Sequence, residues 1–541
     1  AFLFAAVLGL RPLFLLAVTT FFIDLLLEAA FLLLRLPFRK SALRPLVLLA
    51  GRRLYELAVL PYSALRDADA VCRALYRMIF SHRNMLQWQT AADAERSRPQ
   101  NTREYFKALF PCAAFGTIVL AAAVSAAIAA ARQIHNGETA GMAAAGLATA
   151  VLWLCAPLIA EKKDEKPDSY RFTAAERGRL TELFADTWQY FEQNCTEKTS
   201  WLPPDNFQEE PYRGAAMLTS PTNIGMGLMA VVSAHDMHLL DERGMFTRLE
   251  RMVNSIEKLE KWHGHPFNWY NLRDLSLLRP RFISTVDSGN LFACLITTAC
   301  ALAECAGQAE KTSAEFAEEL KKLAVRCTAI ARAMDFSVLY DNTRELFHIG
   351  CSFEEGKLTP SHYDLLASEC RLTSFSAIAF SRIGSEHWFA LSRLMCDASG
   401  GRVLKSWSGT MFEYLMPLIF FETVPYSMQF EVCRNAVLTQ ILAAAAEKPW
   451  GVSESGYFAF DDALRYQYRA FGNPELALAP GRMRSDVIAP YACVLALAVE
   501  PKAAAENLRL LCQIGAAGKY GLYEALDYGA AEKNGFAIVK S

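Results

Sequence analysis

The sequence predicts an all-α protein in which transmembrane helices precede a closed α/α barrel. Three observations support this reading. No residue is charged between Lys107 and Arg132, or again between Glu138 and Glu161. Beyond Pro167, apolar residues return at helical spacing in a long series. The pieces richest in aromatic, carboxylate and amide side chains fall between those segments or at their first turns, where a rigid scaffold exposes its loops.

The chain has 541 residues, 53% of them hydrophobic, and a formal charge of -2. At about 150 residues per domain, that length calls for two or more units. Four sections are expected: transmembrane segments at 1–62, an interfacial or cytoplasmic connector at 63–107, a transmembrane helical hairpin at 108–160 and a barrel domain at 167–541. Ala1 to Leu10 reads as the end of one apolar span. Pro12 to Leu34, interrupted only by Asp24 and Glu28, reads as another. Acids inside a membrane face protein or water rather than lipid. The chain opens within apolar sequence, without an initiator methionine or a secretory signal, so it is expected to be a piece of a longer protein.

In the connector, Leu75 to Trp88 sets Tyr76, Ile79, Leu86 and Trp88 against Arg73, Arg77 and Arg83. This pattern fits an interfacial amphipathic helix and equally an ordinary solvent-facing one. Each uncharged stretch of the hairpin is long enough to cross about 30 Å of hydrocarbon at about 1.5 Å per residue. Their alanine content leaves a buried helical hairpin as the alternative. Arg96, Arg98, Arg103 and Lys107 precede the hairpin and Lys162, Lys163, Lys166 and Arg171 follow it, whereas its loop offers only Arg132. Positive residues stay inside, so the barrel is expected in the cytoplasm. The 14 cysteines are scattered without a CxxC pair, many in apolar contexts such as Cys294, Cys300, Cys327 and Cys493. Buried free thiols are expected there rather than disulfides or zinc ligands. The absence of a basic stripe excludes a nucleic-acid partner.

In the barrel section, helices are predicted over Ala174–Phe191, Thr222–Leu240, Phe246–Trp262, Asp287–Cys305, Ala314–Met334, Pro360–Arg382, Thr410–Phe421, Phe430–Ala445, Val487–Val499 and Pro501–Ile514. One strand pair interrupts them, Val338–Tyr340 with Leu346–Ile349, around Asp341 and Asn342. Helices without intervening strands exclude a doubly wound sheet. The long loops Gly264–Ser284 and Trp450–Arg484 are candidates for function.

Cleaving a glycosidic bond takes two carboxyl groups, one protonated and one ionised. Glu369 in YDLLASECRL follows Leu365, Leu366 and Ala367, where burial would raise its pKa as a general acid requires. The competing reading pairs it with Arg371. Glu454 in WGVSESGY stands between two serines whose hydroxyls could orient it as a nucleophile; the competing reading is a capping or loop-bracing acid. Glu413 in SWSGTMFEYLMP, and Glu524 and Asp527 on one helical face in YGLYEALDY, are reserve carboxylates that serve equally as loop anchors. Asp287 in STVDSGNL opens an apolar helix, either as a first-turn charge or, with Asn290, as an acceptor of sugar hydroxyls.

Trp201, Trp269, Trp407 and Trp450, with Tyr270, Tyr457, Tyr466 and Tyr468, supply aromatic faces beside Asp205, Asn206, Asn268 and Gln467. Together they favour an oligosaccharide site, where rings meet apolar sugar faces and amides orient hydroxyls. His263 and His265 lack a complement at ligand spacing, so no metal ligand is assigned. There is no GxSxG, P-loop or strand-linked GxGxxG to support a serine hydrolase or a nucleotide-dependent enzyme.

These pieces also resemble, in order, the cyclic β-1,2-glucan synthases of bacterial inner membranes. The resemblance rests on WLPPDN from Trp201, TSPTNIG from Thr219, GH and NWY between Gly264 and Tyr270, STVDSGNL, LLASE, SWSGTMFEYLMP, WGVSES, YQYRAFG from Tyr466 and YGLYEALDY. It covers nearly the whole chain and extends to the related endo-β-1,2-glucanases. In the synthase family a glycosyltransferase extends the glucan from a nucleotide sugar, a middle helical domain cyclises it, and a phosphorylase-like domain adjusts chain length. The resemblance therefore implies a membrane region plus the middle domain, an (α/α)6 barrel, flanked in a longer multi-pass inner-membrane protein by those two other domains.

It further implies anomer-retaining transglycosylation of β-1,2-glucan, with Glu454 as nucleophile and Glu369 as acid/base, acting directly or through a hydroxyl or water. Asp287, Glu413, Glu524 and the named aromatics would line subsites. No cofactor is implied for this part; the nucleotide sugar and a divalent metal would belong to the glycosyltransferase. The implied partners are β-1,2-glucan, inner-membrane lipid and the flanking domains. An endo-β-1,2-glucan hydrolase and a non-catalytic glycan-binding membrane module are the alternatives.

Overall fold

The computed structural model describes residues 43–83, 99, 101–132, 137–164, 170–421, 424–425, 427–444, 448–478, 486–530 and 535–541, with short stretches between 19 and 30. Most of Pro12–Leu34, all of Ala1–Leu10, residues 479–484 of the expected Trp450–Arg484 loop, and Leu86, Trp88, Arg96, Arg98 and Lys166 lie outside the described residues. The chain divides into two compact units, Ala1–Ser169 and Tyr170–Ser541.

The first unit contains α1 (Leu43–Ala58), α2 (Leu60–Tyr76), α3 (Thr102–Ala108), α4 (Phe110–Arg132), α5 (Gly137–Leu154) and α6 (Ala156–Asp164). The helical run after α2 stops at Ser81, where His82 turns left-handed, so no continuous helix reaches from Leu75 to Trp88. Helices α4 and α5 pack through small residues. A Cβ added to Gly116 would lie 3.1 Å from Leu154 Cγ, and one on Gly146 would lie 3.0 Å from Ala123. Ile118, Val124, Leu147 and Val151 remain exposed on their outer faces.

The expected hairpin spans are bent. The α3–α4 pair bends by 72° and the α5–α6 pair by 48°. Pro111 and Pro157 explain the breaks, because each stands in the first turn after one, lacking an N–H and restricting the residue before it. Among the described residues, Thr285–Ala309 is the one unbroken helix long and apolar enough to cross a membrane. Counting each bent pair as one span gives up to three.

The second unit begins with five long helices: α7 (Ala174–Asn194), α8 (Pro221–Asp236), α9 (Glu242–Lys258), α10 (Thr285–Ala309) and α11 (Ala314–Ala333). Each is preceded by a Thr, Ser or Asp whose side chain accepts a backbone N–H from the third helical residue, satisfying an otherwise orphaned donor. Their apolar faces meet in one core around Leu228, Leu249, Leu291, Leu295 and Leu320. Mostly shorter helices follow: α12 (Arg371–Ala379), α13 (Glu386–Ala390), α14 (Met411–Leu415), α15 (Met428–Ala443; as long as α8), α16 (Pro490–Ala496) and α17 (Pro501–Gln513). All but α12, whose Ala377 joins the first core, pack on a second core around Tyr414, Val437, Phe471, Leu508 and Leu526.

Short antiparallel strands are more numerous than the sequence predicts. They include β1 (Phe282–Ser284), β2 (Tyr340–Asp341), β3 (Leu346–His348), β4 (Gly350–Ser352), β5 (His362–Tyr363), β6 (Ser455–Phe460), β7 (Tyr466–Arg469), β8 (Val487–Ile488), β9 (Ala525–Asp527) and β10 (Ala537–Val539). The expected pair is β2 with β3, and β5 joins the far edge of β3; Val338 lies in a preceding 3-10 turn. Two expectations are corrected here. Pro360–Arg382 is not one helix, since β5 and an irregular turn occupy it until α12 starts at Arg371. Tyr520–Tyr528 is not helical either, because β9 pairs between β8 and β10, so Glu524 and Asp527 do not share a helical face.

Candidate active site

The side chain of Asp287 is positioned by the start of α10. Ser284 Oγ accepts the Asp287 N–H at 3.2 Å, and Asp287 Oδ1 accepts Thr222 Oγ1 at 2.5 Å. With the Asn268 amide oriented to satisfy its neighbours, its Nδ2 donates to Asp287 Oδ2 at 2.9 Å and its oxygen accepts Trp269 Nε1 at 3.2 Å. Burial raises the Asp287 pKa despite the Ser284 and Thr222 hydrogen bonds. Gly289, two residues on, lets α12 approach. A Cβ there would fall 1.9 Å from Thr373 Oγ1.

That approach sets Glu369, in the turn before α12, near Asp287. The predicted alternative pairing with Arg371 is not formed: Arg371 is buried and donates to Gln429 Oε1 and the Tyr414 carbonyl, both at 2.9 Å. Among the described residues the Glu369 carboxyl has no hydrogen-bond or ion-pair partner. Burial pushes its pKa well above the usual carboxylate range, and repulsion from Glu454, Asp287 and Glu413 pushes it further.

Glu454 precedes β6. Its flanking serines do not hold its carboxylate, contrary to expectation, because Ser453 Oγ accepts the Phe412 N–H at 3.0 Å and the buried Ser455 Oγ has no partner among the described residues. The donor is Tyr468, across the β6–β7 hairpin, whose hydroxyl donates a hydrogen bond to Glu454 Oε2 at 2.6 Å. Tyr491 donates to the Glu454 carbonyl at 3.0 Å. Burial raises the Glu454 pKa, the Tyr468 hydrogen bond opposes this, and the charges of Glu413 and Glu524 add to the rise.

Glu413 proves to be an anchor. In the first turn of α14 it accepts Thr410 N–H at 2.9 Å, Ser406 Oγ at 2.9 Å and Ser408 N–H at 3.1 Å, bracing the loop that exposes Trp407. Glu524 accepts the Gly456 N–H at 2.8 Å, and Asp205 adds repulsion to the burial that raises its pKa. Asp205 itself accepts Asn223 Nδ2 at 2.8 Å and Asn206 Nδ2 at 3.0 Å. Carboxylates from Asp205 to Glu524 thus repel one another in one half-buried cluster.

Residues 361–539 match a family described as "Putative glucoamylase", and residues 184–290 match DUF3131, a family of unknown function. A cyclic β-(1,2)-glucan synthase, NdvB of Rhizobium meliloti (strain 1021), is 31% identical over 592 aligned positions, covering 87% of this chain and 20% of that protein. The chain is a homologue of one part of that synthase. It spans about a fifth of the synthase's length. Two solved structures share the fold of the second unit. An endo-β-1,2-glucanase from Chitinophaga pinensis, in complex with sophorotriose and glucose, is 16% identical with a TM-score of 0.52, covering 66% of this chain and 87% of that one. An endo-β-1,2-glucanase from Talaromyces funiculosus, with sophorose, is 12% identical with a TM-score of 0.54, covering 69% and 85%. Glu369, Glu413, Glu454 and Glu524 all lie within the first family match and Asp205 and Asp287 within the second.

The predicted aromatic residues divide into two groups. Tyr468 and Trp407 present exposed rings, 63% and 68% accessible, beside Glu454 and on the Glu413-braced loop. Tyr457 donates to Gln467 Oε1 at 2.6 Å on the same hairpin, and Tyr466 donates to the Glu210 carbonyl at 2.6 Å. Four expected binding residues are packed into the protein instead. Tyr270 is fully buried, its hydroxyl committed to the Glu260 carbonyl and the Phe267 N–H; Trp450 is 7% exposed with its backbone fixed by Asn507. Asn290 is buried and donates to Thr222 Oγ1, and Asp527 is buried and accepts the Phe458 and Gly529 N–H groups. Trp201 lines a small cavity together with Trp188 and Phe191, with the Arg251 guanidinium 4.1 Å from its ring centroid.

Sequence reasoning missed Tyr363 and Tyr491. Both phenols are pushed far up by burial, and Glu454 and Glu369 contribute to each. Tyr363 was visible within the Glu369 motif, whereas Tyr491 follows Pro490 in an apolar stretch that carries no signal. The HxH residues part company: His265 is fully buried, edge-on to Phe336, with burial lowering its pKa to about 4, whereas His263 is exposed.

Proposed function

We propose that the second unit is a retaining transglycosylase that cyclises linear β-1,2-glucan. The observation that carries this reading is the unequal treatment of two neighbouring glutamates. Glu454 receives a short hydrogen bond from Tyr468, which favours its ionised form, while Glu369 has burial, like charges and no donor. When two carboxyls repel, one proton is retained, and here it rests on Glu369.

Glu454 then attacks the anomeric carbon as Glu369 gives its proton to the departing glycosidic oxygen. A hydroxyl of the same glucan displaces Glu454 from the covalent intermediate and returns its proton to Glu369. Trp407 and Tyr468 stack on the chain. The reaction requires no cofactor. In the longer protein, the (α/α)6 barrel would face the cytoplasm beside a multi-pass inner-membrane region, with a glycosyltransferase, which would take the nucleotide sugar and divalent metal, and a phosphorylase-like domain on either side. The synthase relative and the basic flanks of the hairpin support that setting.

Endo-hydrolysis is the second reading, favoured by the fold shared with the two endo-β-1,2-glucanases. Mass spectrometry of the full chain incubated with linear β-1,2-glucan separates the two. Ring-closed products, one water lighter than linear chains, are expected, with retained anomeric configuration by NMR. Linear products alone would overturn cyclisation, and unchanged turnover in Glu369→Gln or Glu454→Gln would overturn that residue's role.

A further inference from the structure

The three-stranded sheet β5-β3-β2 places three potential metal ligands on one face. His362 on β5 pairs directly with His348 on β3, and Asp341 on β2 pairs with Leu346, two residues from His348. Directly opposite residues and their i±2 neighbours share a face of an antiparallel sheet. The side chains confirm it: ligand atoms of Asp341, His348 and His362 all lie within 4.8 Å of one another, and the two imidazoles stack at 4.3 Å.

We propose that Asp341, His348 and His362 bind a zinc ion. The ligand chemistry suits that metal, which takes imidazole nitrogen and carboxylate oxygen in a tetrahedral shell and leaves a fourth place for water. Ligands at about 2.0–2.1 Å from such an ion stand roughly 3.3 Å apart. His362 Nε2 and Asp341 Oδ2 are already 3.2 Å apart. Each ligand is also oriented from behind. His348 Nδ1 lies 2.6 Å from the Thr359 carbonyl, so it carries the ring proton and leaves Nε2 free to coordinate. Asp341 Oδ1 is tied to the Thr343 N–H at 2.8 Å and the Arg344 N–H at 3.1 Å, so Oδ2, which faces His362 and has the exposed Arg344 guanidinium 4.0 Å away, is the oxygen that would meet the ion.

The ion acts as a clamp on the strands that serve the carboxylates. His362 and Tyr363 point to opposite faces of β5, and Tyr363 faces Glu369, Asp287 and Glu454. The His348 carbonyl accepts Thr285 Oγ1 at 2.7 Å, at the start of the helix that carries Asp287. Loss of the ion would loosen both supports without removing a reacting group.

Calorimetric titration of chelator-stripped full chain in detergent with zinc chloride tests the proposal, and visible absorption of bound Co2+ reports the imidazole ligands. One equivalent is expected to bind and to raise Tm. His348→Ala and His362→Ala are each expected to weaken binding more than roughly 100-fold, since loss of a ligand's hydrogen-bond partner alone costs about 10–100-fold. Asp341→Asn, close in shape, provides a third variant whose fold is checked by circular dichroism, and His263→Ala should bind as wild type. Absence of saturable binding, or wild-type affinity in the histidine variants, would overturn the proposal.

Discussion

The two halves of the second unit solve different problems with the same chain. Residues 174–334 form long capped helices over one apolar core, and they contribute to the cluster only where a helix starts, at Asp287, or where a loop intervenes, at Asp205. Residues 360–540 use short helices and hairpins, and they supply Glu369, Glu413, Glu454 and Glu524 from turns, a helix start and strand ends. A helix projects its side chains radially along one axis, whereas turns and strand ends can aim acids at a point from several directions. The helical half therefore provides stiffness and the irregular half provides convergence. Convergence has a thermodynamic consequence, because half-buried like charges resist ionisation and weaken the folded state.

The largest effect that would test this division is at the least supported acid. Glu369→Gln is expected to lower kcat by about 10³-fold, within the range for a general acid. It should also stabilise the fold at neutral pH. Glu369 holds its proton more tightly folded than unfolded, so wild-type stability falls as pH rises from the ordinary carboxylate range through the raised folded pKa. Glutamine escapes that loss. Calorimetric scans should show Tm above wild type by roughly 2 °C per 1 kcal/mol at pH 7, converging below about pH 4. An unchanged Tm would show that the irregular half carries no such strain.

The next test concerns the junction of the halves and uses two glycines of α10. Gly289→Ala should cost about 1–3 kcal/mol by overpacking against Thr373, and should lower activity by separating Asp287 from Glu369. Gly307→Ala, with nothing within 4 Å of its Cβ, should instead stabilise by about 0.5–1 kcal/mol through helix propensity. Equal effects in urea titrations would contradict the close contact.

Tyr468→Phe removes the hydrogen bond that favours ionised Glu454, so the Glu454 pKa rises further. The acid limb of the kcat/KM profile should move to higher pH, with a loss of roughly 10-fold at neutral pH. A limb that stays in place would separate Tyr468 from the nucleophile. The smallest expected effect is that of Trp407→Ala, whose exposed ring has little packing to lose. KM should rise by about 5-fold, for a stacking contact of roughly 1 kcal/mol, with Tm unchanged.

Legibility in the sequence follows the same division. In the helical half, the period of apolar residues and the capping side chains place α7 to α11 to within a few residues of their predicted limits. In the other half, strands as short as His362–Tyr363 cannot display an alternation, and the apolar run before Glu369 imitates a helix while packing as a turn. Glu369 and Glu454 were legible because acids in apolar or serine-flanked settings stand out. The donor to Glu454 was assigned to neighbouring serines because adjacency in sequence conceals a partner across a hairpin. Tyr270 and Trp450 show the converse, since an aromatic in a distinctive motif can be distinctive for its packing.

The apolarity of α10 has a consequence for how the chain is made. By length and composition, Thr285–Ala309 would qualify as a membrane span, yet it is two-thirds buried within the second unit. Its principal packing partners are α8, α11 and α12, and α11 follows after a four-residue connection. Such local contacts form early. The helix that presents Asp287 thus has part of its cover encoded next to it, and a segment apolar enough to cross a membrane is enclosed by its own sequence neighbour.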